Sequence, residues 1–211
     1  MNNQVSHNRI TIIIPAAGLS SRMAGKDKLT MPVGNSNLLR LITEKALASL
    51  ASEVIVVTRS TQLARIRTVD GLGIKLVHPD SRINQMSVSI TTGLRAADYS
   101  SEGVLILLPD MPLIETADIN KLIDNFDREK IIRGANEKKV PGHPVLFPKS
   151  LFPAIMTTNG DNGPREVIAK NEGLLKLVKL DNEKAMVDVD TPENWDQWIT
   201  EYDKTGAGEG T

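Results

Sequence analysis

The chain has 211 residues, of which 40% are hydrophobic and 24% charged, so it is long enough for one large domain or two small ones with a sizeable core. Its formal net charge of -1 and its 3% of aromatic residues argue against partners such as nucleic acids or membranes. Because the chain has no cysteine, it has no disulfide, thiolate metal site or cysteine nucleophile, which fits a reducing compartment, and we expect a cytoplasmic protein.

The first half of the chain alternates apolar strands with helical patterns. Four apolar runs are unbroken rather than alternating, which predicts strands buried on both faces. They lie at 10–14, 54–57, 74–77 and 104–108. Between them, apolar residues recur at three- and four-residue spacing, which predicts helices. These lie at 38–50, 61–69, 87–97 and 116–126. Strand followed by helix four times predicts an α/β fold with right-handed crossovers and a mostly parallel sheet covered by helices on both faces.

The pattern changes near residue 136, where the polar stretch ANEKKVPGHP leads into a short VLF strand. Beyond it the sequence predicts two helices, two strands and a last helix, with Thr191 as N-cap and Pro192 at the first helical position. They lie at 149–156, 162–170, 174–180, 184–189 and 192–203. We predict a single domain over 1–203, its second half packed on the same sheet, and a disordered glycine-rich tail over 204–211.

The stretch IPAAGLSSRMAGKDKL, residues 14–29, follows the first strand. In open α/β sheets, ligands bind outside the carboxyl ends of the strands. Small residues there would let backbone amides approach a phosphate or a base edge, and three cations follow. The small residues are Ala16, Ala17 and Gly18, and the cations are Arg22, Lys26 and Lys28. The glycine spacing of a P-loop is absent, and so is GxGxxG. The residues alone leave open a phosphate-holding loop and an ordinary strand-to-helix turn.

The stretch LLPDMPL, residues 107–113, places Asp110 after the most apolar strand of the chain. Two prolines flank the Asp-Met pair and fix the backbone on both sides. Mg²⁺ prefers one or two carboxylates together with substrate phosphates, which makes Asp110 a candidate ligand. A carboxylate in a strand-ending turn is the alternative.

Two further carboxylates occur in MVDVDTPENW, residues 186–195. We expect Asp188 and Asp190 to point to opposite faces of a strand end, so that only one of them looks into a given site. Asp188 is the better candidate for a second metal carboxylate, because Asp190 could serve the terminus of the following helix beside Thr191. Turn and capping roles for both remain an alternative.

Five motifs occur in a characteristic order. They are AAGLSSRM with a following Lys28, PDMP, GHPVLF (142–147), GDNG with Arg165, and DVDTPENW (188–195). In this order they resemble the MobA-like nucleotidyltransferase family, and more narrowly its branch of molybdenum cofactor cytidylyltransferases. The resemblance extends from about residue 9 to 203. It implies a three-layer Rossmann-like fold of the nucleotide-diphospho-sugar transferase type, with a nucleotide-binding half over about 9–135 and an acceptor-binding half over about 136–203.

The resemblance implies roles for residues on the nucleotide side. Arg22 and Lys28 would hold the triphosphate. The backbone of Ala16, Ala17 and Gly18 would line the base, and Ser20 and Ser89 would contact the nucleotide as well.

On the metal and acceptor side, the resemblance implies that Asp110 ligates Mg²⁺, with Asp188 as the second carboxylate. His143 and Asp161 would contact the acceptor, molybdopterin. A structural hydrogen bond for His143 and a helix-capping turn for Asp161 are the alternatives.

The activity implied is Mg²⁺-dependent transfer of CMP from CTP to the phosphate of molybdopterin, with release of pyrophosphate and with a molybdenum hydroxylase apoenzyme as recipient of the product. Ala17 stands where the guanylyl branch has Gly, and its methyl group would crowd a purine. Other candidates are a guanylyltransferase, a sugar-phosphate nucleotidyltransferase, a non-catalytic cofactor carrier or insertion chaperone, and a dinucleotide-dependent oxidoreductase. Pro109 and Gln85, which replace glycines common in the branch, favour the carrier.

Overall fold

The computed structural model describes residues 8–19, 23, 25–80, 83, 85–160 and 162–206. The strands of this part of the chain are β1 (Ile10–Pro15), β2 (Pro32–Val33), β3 (Ser36–Asn37), β4 (Glu53–Val57), β5 (Lys75–Val77), β6 (Gly103–Ile106), β7 (Ile131–Ala135), β8 (Pro141–Pro148) and β9 (Leu175–Lys179). Its α-helices are α1 (Leu38–Leu47), α2 (Leu63–Thr68), α3 (Met86–Ala96), α4 (Thr116–Asp124), α5 (Phe152–Met156), α6 (Gly163–Lys170) and α7 (Pro192–Gly206). None of these helices has the length and hydropathy that spanning a membrane requires.

One seven-stranded sheet organises the fold, with the strand order β5-β4-β1-β6-β8-β7-β9. Strand β8 runs antiparallel to its neighbours β6 and β7, and the other neighbouring strands of this sheet are parallel. Strands β2 and β3 pair separately as a short antiparallel ribbon. The predicted α/β class and mostly parallel sheet are therefore confirmed, and the carboxyl ends of β1, β4 and β6 lie at the same edge.

The isoleucines of β1 explain why its apolar run is unbroken. Ile12 and Ile14 belong to a core cluster that also contains residues of α1, α4 and α7. Ile13 belongs to a second cluster, with residues of α3, α5 and α6. Because successive side chains of a strand point to opposite faces, β1 is covered by helices on both sides.

The second half of the chain contains one strand that the sequence patterns do not predict. Strand β7 has the sequence IIRGA, and residues 136–140 connect it to β8. The predicted VLF strand is the centre of the eight-residue β8. Glycine is required at position 134, since a Cβ atom there would lie 2.6 Å from the carbonyl oxygen of His143.

The predicted strand over 184–189 is wrong. Asn182 and Glu183 adopt left-handed backbone conformations, both with φ of 56°, and reverse the chain. The amide of His143 donates to the carbonyl of Ala185 at 2.9 Å, and the amide of Val189 donates to the carbonyl of Asp110 at 2.9 Å. The segment therefore crosses the ends of β8 and of the chain beyond β6 instead of extending the sheet.

The last helix starts as predicted. The amide of Asn194 donates to the hydroxyl of Thr191 at 3.3 Å, and Pro192 opens α7. The helix continues to Gly206, so the first residues of the predicted tail are helical. Residues 207–211 of that tail lie outside the described part of the chain.

Candidate active site

Lys28 and Asp110 meet at the carboxyl edge of the sheet. Lys28 lies in a 3-10 turn, residues Lys28–Thr30, and its Nζ donates to Asp110 Oδ2 at 2.7 Å and also to Asp190. The Lys28 side chain is only 8% exposed. Burial alone lowers the pKa of this amine, but the charge of Asp110 and the hydrogen bonds to both carboxylates outweigh it and raise the pKa above its usual value. Lys28 is therefore held as a cation.

The other carboxylate oxygen of Asp110, Oδ1, is buried and has no hydrogen-bond partner among the described residues. A buried carboxylate oxygen without a partner has lost its hydration without compensation. A divalent cation would compensate it, and carboxylate oxygen is the donor that Mg²⁺ prefers. No group of three or more carboxylate or histidine side chains within the described residues is arranged to hold an ion by itself. The donor set thus fits a cation that takes its remaining ligands from substrate and water.

The expectation that Asp188 and Asp190 face opposite sides is wrong, because both line one cavity. Residues two apart in an extended segment project to the same side. Asp190 pairs with Lys28, whereas the Asp188 carboxyl is exposed at the cavity wall. Partial desolvation by the surrounding protein raises the pKa of Asp188, and the negative charges of Asp110 and Asp190 raise it further. Asp188 remains a prediction as the second metal ligand, and Asp190 is a third carboxylate of the same cluster.

Two adjoining cavities meet at these carboxylates. The first cavity, of about 260 Å³, is lined by the loop after β1 and by Lys28, Arg65 and Pro109. The second cavity, of about 380 Å³, lies over β6, β8 and the start of α6. Both are lined by Met86, Leu108, Asp110 and Asp190. The carboxylates thus stand between two spaces, each of which could hold one reactant.

Arg65, which the sequence patterns do not single out, holds the loop after β1. Its Nε and Nη2 donate to the two carboxylate oxygens of Asp27 at 2.7 Å each. Its Nη1 donates to the carbonyls of Ala16 at 2.5 Å and Gly18 at 2.7 Å. Asp27 directly precedes the turn that carries Lys28. One buried guanidinium therefore fixes both the loop and the approach to Lys28.

Only part of the predicted nucleotide-side set lines the first cavity. Gly18 and Lys28 do, whereas Ala16 and Ala17 are buried and are not among its lining residues. Ser89 is buried on α3 and lines neither cavity. Helix α3 instead presents Met86 to both cavities. The predicted residues Ser20, Arg22 and Asp161 lie outside the described part of the chain.

His143 lines the second cavity together with Arg133 and Arg165. Its Nδ1 is buried and has no hydrogen-bond partner among the described residues. Desolvation lowers the pKa of His143 to about 4, assisted by the positive charges of Arg133 and Arg165. His143 is therefore a neutral imidazole at neutral pH, and its role as a contact for the acceptor remains a prediction. The sequence patterns do not identify Arg133 as a site residue, because they do not predict strand β7.

Gln85 connects the start of α3 to the loop before α6. The amide of Gly160 donates to Gln85 Oε1 at 3.2 Å, and the amide of Ser87 donates to the carbonyl of Gly160 at 3.3 Å. The side chain that replaces a glycine of the resembled branch thus supports a loop beside the second cavity. Pro109, the other replacement, follows β6 after that strand has ended at Ile106, so its missing N–H interrupts no strand pairing.

Comparison with known proteins places the chain among nucleotidyltransferase-like proteins. The model of the MobA-like NTP transferase domain matches residues 12–175. Purine catabolism protein PucB of Bacillus subtilis (strain 168) is 26% identical over 195 residues, which cover 86% of this chain and 91% of PucB. Nicotine blue oxidoreductase of Paenarthrobacter nicotinovorans is 25% identical over 191 residues, covering 87% of this chain and 93% of that protein.

Solved structures share the fold. The homolog of Mycobacterium tuberculosis Rv0371c from Mycobacterium sp. strain JC1 superposes with a TM-score of 0.81 at 24% identity, over 93% of this chain and 98% of that chain. Rv0371c itself, solved in complex with manganese, gives a TM-score of 0.76 at 19% identity, over 92% of this chain and 99% of that chain. These likenesses extend the Rossmann-like nucleotidyltransferase fold over nearly the full length of the chain.

Proposed function

The chain belongs to the MobA-like NTP transferase family, and we propose that it transfers CMP from CTP to the phosphate of molybdopterin and releases pyrophosphate. The observation that carries this proposal is the position of Lys28 and Asp110 at the junction of the two cavities. A nucleotidyl transfer needs the triphosphate and the acceptor on either side of one reacting phosphorus, with positive charge beside it. The two cavities and the buried cation supply that arrangement.

The proposed step is a substitution at the α-phosphorus of CTP. An oxygen of the acceptor phosphate attacks this phosphorus, the bond to the oxygen that bridges to the β-phosphate breaks, and pyrophosphate leaves with the bonding electrons. No protein nucleophile is needed, so positioning and charge compensation do the catalysis. Lys28 is held as a cation where it can offset charge on the transferring and leaving phosphates.

Asp110 is the residue that would hold Mg²⁺, with Asp188 as second carboxylate. Asp110 would do so through Oδ1, which none of the described residues contacts by a hydrogen bond. When bound, the ion supplies Lewis-acid neutralisation of the reacting phosphates. The neighbour that was solved with manganese supports a divalent cation in this fold. Asp110 keeps its orientation because Lys28 donates to its other oxygen and because Val189 donates to its backbone carbonyl.

The preference for CTP is proposed from Ala17. Its side chain is buried and does not line the first cavity, so it would affect the choice of base only through the position of the loop backbone, which lines that cavity at Gly18. The loop has little freedom to retreat, because Arg65 binds its carbonyls and Gln62 Nε2 donates to the Gly18 carbonyl at 3.1 Å. This supports a small pyrimidine over a purine.

The test is calorimetric titration with CTP, GTP and ATP in the presence of Mg²⁺. We expect CTP to bind most tightly and its affinity to fall about tenfold or more in Asp110→Asn. Asp124→Asn, an exposed carboxylate at the end of α4, is the matched control and should bind as the parent does. Release of pyrophosphate from CTP that depends on molybdopterin would complete the proof. Tighter GTP binding would overturn the cytidylyl assignment.

A relative that is named an oxidoreductase favours a second candidate, a dinucleotide-dependent oxidoreductase on the same fold. The chain lacks the GxGxxG fingerprint of dinucleotide-binding folds, and its cluster of carboxylates would repel a pyrophosphate bridge unless a cation came with it. Titration with reduced nicotinamide dinucleotides separates the two candidates. Binding of a dinucleotide by a protein that binds no CTP would replace the transferase proposal.

A further inference from the structure

We infer that Arg133 and Arg165 form the seat for a phosphate monoester group of the acceptor, and that Arg133 is a specificity-determining residue of this chain. The inference rests on the proposed function, which it deepens by naming what the second cavity recognises. It is carried by three groups that line the same cavity. They are two guanidinium groups and a buried imidazole nitrogen that has no hydrogen-bond partner in the described part of the chain.

Arg133 is held in place but has no ion-pair partner among the residues that the structure describes. Its Nε donates to the carbonyl of Gly142 at 2.7 Å, which fixes the half-buried side chain across the β7–β8 pair. No carboxylate of the described residues forms an ion pair with it. Burial lowers the pKa of this guanidinium, and the like charge of Arg165 lowers it further. A fixed cation beside a second cation favours binding of an anion.

Arg165 and His143 complete the seat. Arg165 lies in the first turn of α6 and is more exposed than Arg133, with no ion pair to a described carboxylate. Paired guanidiniums match the geometry of phosphate oxygens, since each can donate two parallel hydrogen bonds. The neutral imidazole of His143 adds a buried nitrogen, Nδ1, for one further hydrogen bond.

The second cavity has acidic residues at its junction with the first cavity and arginines elsewhere in its lining. Asp110 and Asp190 line the junction with the first cavity, whereas Arg133 and Arg165 line the second cavity only. Asp188 also lines the second cavity, and the positive charges of Arg133 and Arg165 would offset its repulsion of the acceptor phosphate. The rest of the lining is largely apolar and includes Ile90, Ile106, Val145, Phe147 and Ile168. The ligand class is therefore a phosphate monoester on a weakly polar body.

The experiment is a calorimetric titration with inorganic phosphate, using Arg133→Gln, Arg133→Lys and the exposed-arginine control Arg67→Gln. We expect Arg133→Gln to weaken phosphate binding about tenfold or more, Arg133→Lys to weaken it less, and Arg67→Gln to leave it unchanged. Thermal unfolding of each variant shows whether it is folded. If Arg133→Gln is not folded, the phosphate affinity of Arg133→Lys is compared with that of the parent instead. Equal phosphate affinity in the parent and Arg133→Gln would overturn the inference, as would no phosphate binding by the parent.

Phosphate could also enter the first cavity, and Lys28→Met separates the two sites. The inference predicts that Lys28→Met keeps the phosphate binding that Arg133→Gln loses, and the reverse result would overturn it. Titration with CTP and Mg²⁺ distinguishes failure of the inference from failure of the proposed function. Arg133→Gln should bind CTP as the parent does and, in turnover, raise KM for the acceptor about tenfold with a smaller change in kcat. If the parent binds phosphate through Arg133 but binds no CTP, the inference about the phosphate site is kept and the proposed transferase function is refuted.

Discussion

His143 gives a pH-dependent stability whose sign and size follow from its surroundings. Its pKa of about 4 in the folded protein lies below the ordinary value of 6.5, because burial and the two neighbouring arginines disfavour the imidazolium. Between these values the unfolded chain binds the proton and the folded chain does not. The contribution is therefore fully present above about pH 6.5 and is lost as the pH falls towards 4. At about 1.4 kcal/mol per pH unit, the loss amounts to about 3 kcal/mol.

The assay compares the parent with His143→Asn by urea unfolding at a series of pH values between about 7 and about 4. Other acid-sensitive groups affect both proteins alike, so the parent should lose about 3 kcal/mol more of its free energy of unfolding than the variant does. The chain has three histidines, so an NMR titration can assign the imidazole that the variant lacks. Parallel stability profiles, or a His143 resonance that titrates near its ordinary pKa, would refute the placement of this imidazole in a dry, cationic environment.

Three substitutions, the first of them with a matched control, test the remaining contacts. Gly142→Ala would put a Cβ atom 2.0 Å from the carbonyl oxygen of Ala185, so urea unfolding should show a loss of about 3 kcal/mol. Gly173→Ala, where a Cβ atom meets nothing within 4 Å, should change stability by less than about 0.5 kcal/mol. In Arg65→Lys a single ammonium group cannot bind Asp27 and the loop carbonyls at once, so the affinity for CTP measured by calorimetry should fall about tenfold. Unchanged affinity would mean that the loop after β1 keeps its conformation without the Arg65 guanidinium. Gln85→Ala removes the side-chain oxygen that accepts a hydrogen bond from the Gly160 amide. It should raise KM for the acceptor substrate several-fold, with little change in KM for CTP. Equal effects on both KM values would contradict a role confined to the second cavity.

The nucleotide-side half of the fold could be predicted because its strands are covered on both faces. An unbroken apolar run such as that of β1 has few alternatives to a buried parallel strand. Strand β7 escapes the same reasoning, because IIRGA contains an arginine and a glycine in five residues. Both departures have a function in the structure: Arg133 faces the second cavity, and Gly134 admits the backbone of β8. For residues 184–189 the error is the reverse, because a strand is predicted where none forms. The aliphatic residues of this segment pack across the end of the sheet without joining it as a strand.

Site residues divide in a similar way. Lys28 and Asp110 are separated by 82 residues, yet both follow strands whose carboxyl ends share one edge, so topology alone brings them together. Arg65 has no such signal, because a single arginine in a helix ordinarily predicts a solvated face. Its burial depends on long-range partners, the Asp27 carboxylate and two loop carbonyls, that no local pattern reveals. Charged residues that are buried by long-range contacts are therefore the site residues that are hardest to predict from sequence patterns.

The balance of charge around Asp110 bears on the order of events in the proposed reaction. Lys28 donates to Oδ2 of Asp110 and to Asp190, so it compensates two of the three clustered carboxylates and leaves Oδ1 of Asp110 for a metal ion. One inner oxygen and the more exposed Asp188 are too few ligands for a hard cation that takes about six oxygens. Phosphate oxygens of the nucleotide would supply the rest while the ion cancels their charge. In the proposed reaction Asp110 and Asp188 would therefore hold the ion together with CTP rather than before it, and Lys28 would offset charge on the phosphates when the acceptor binds.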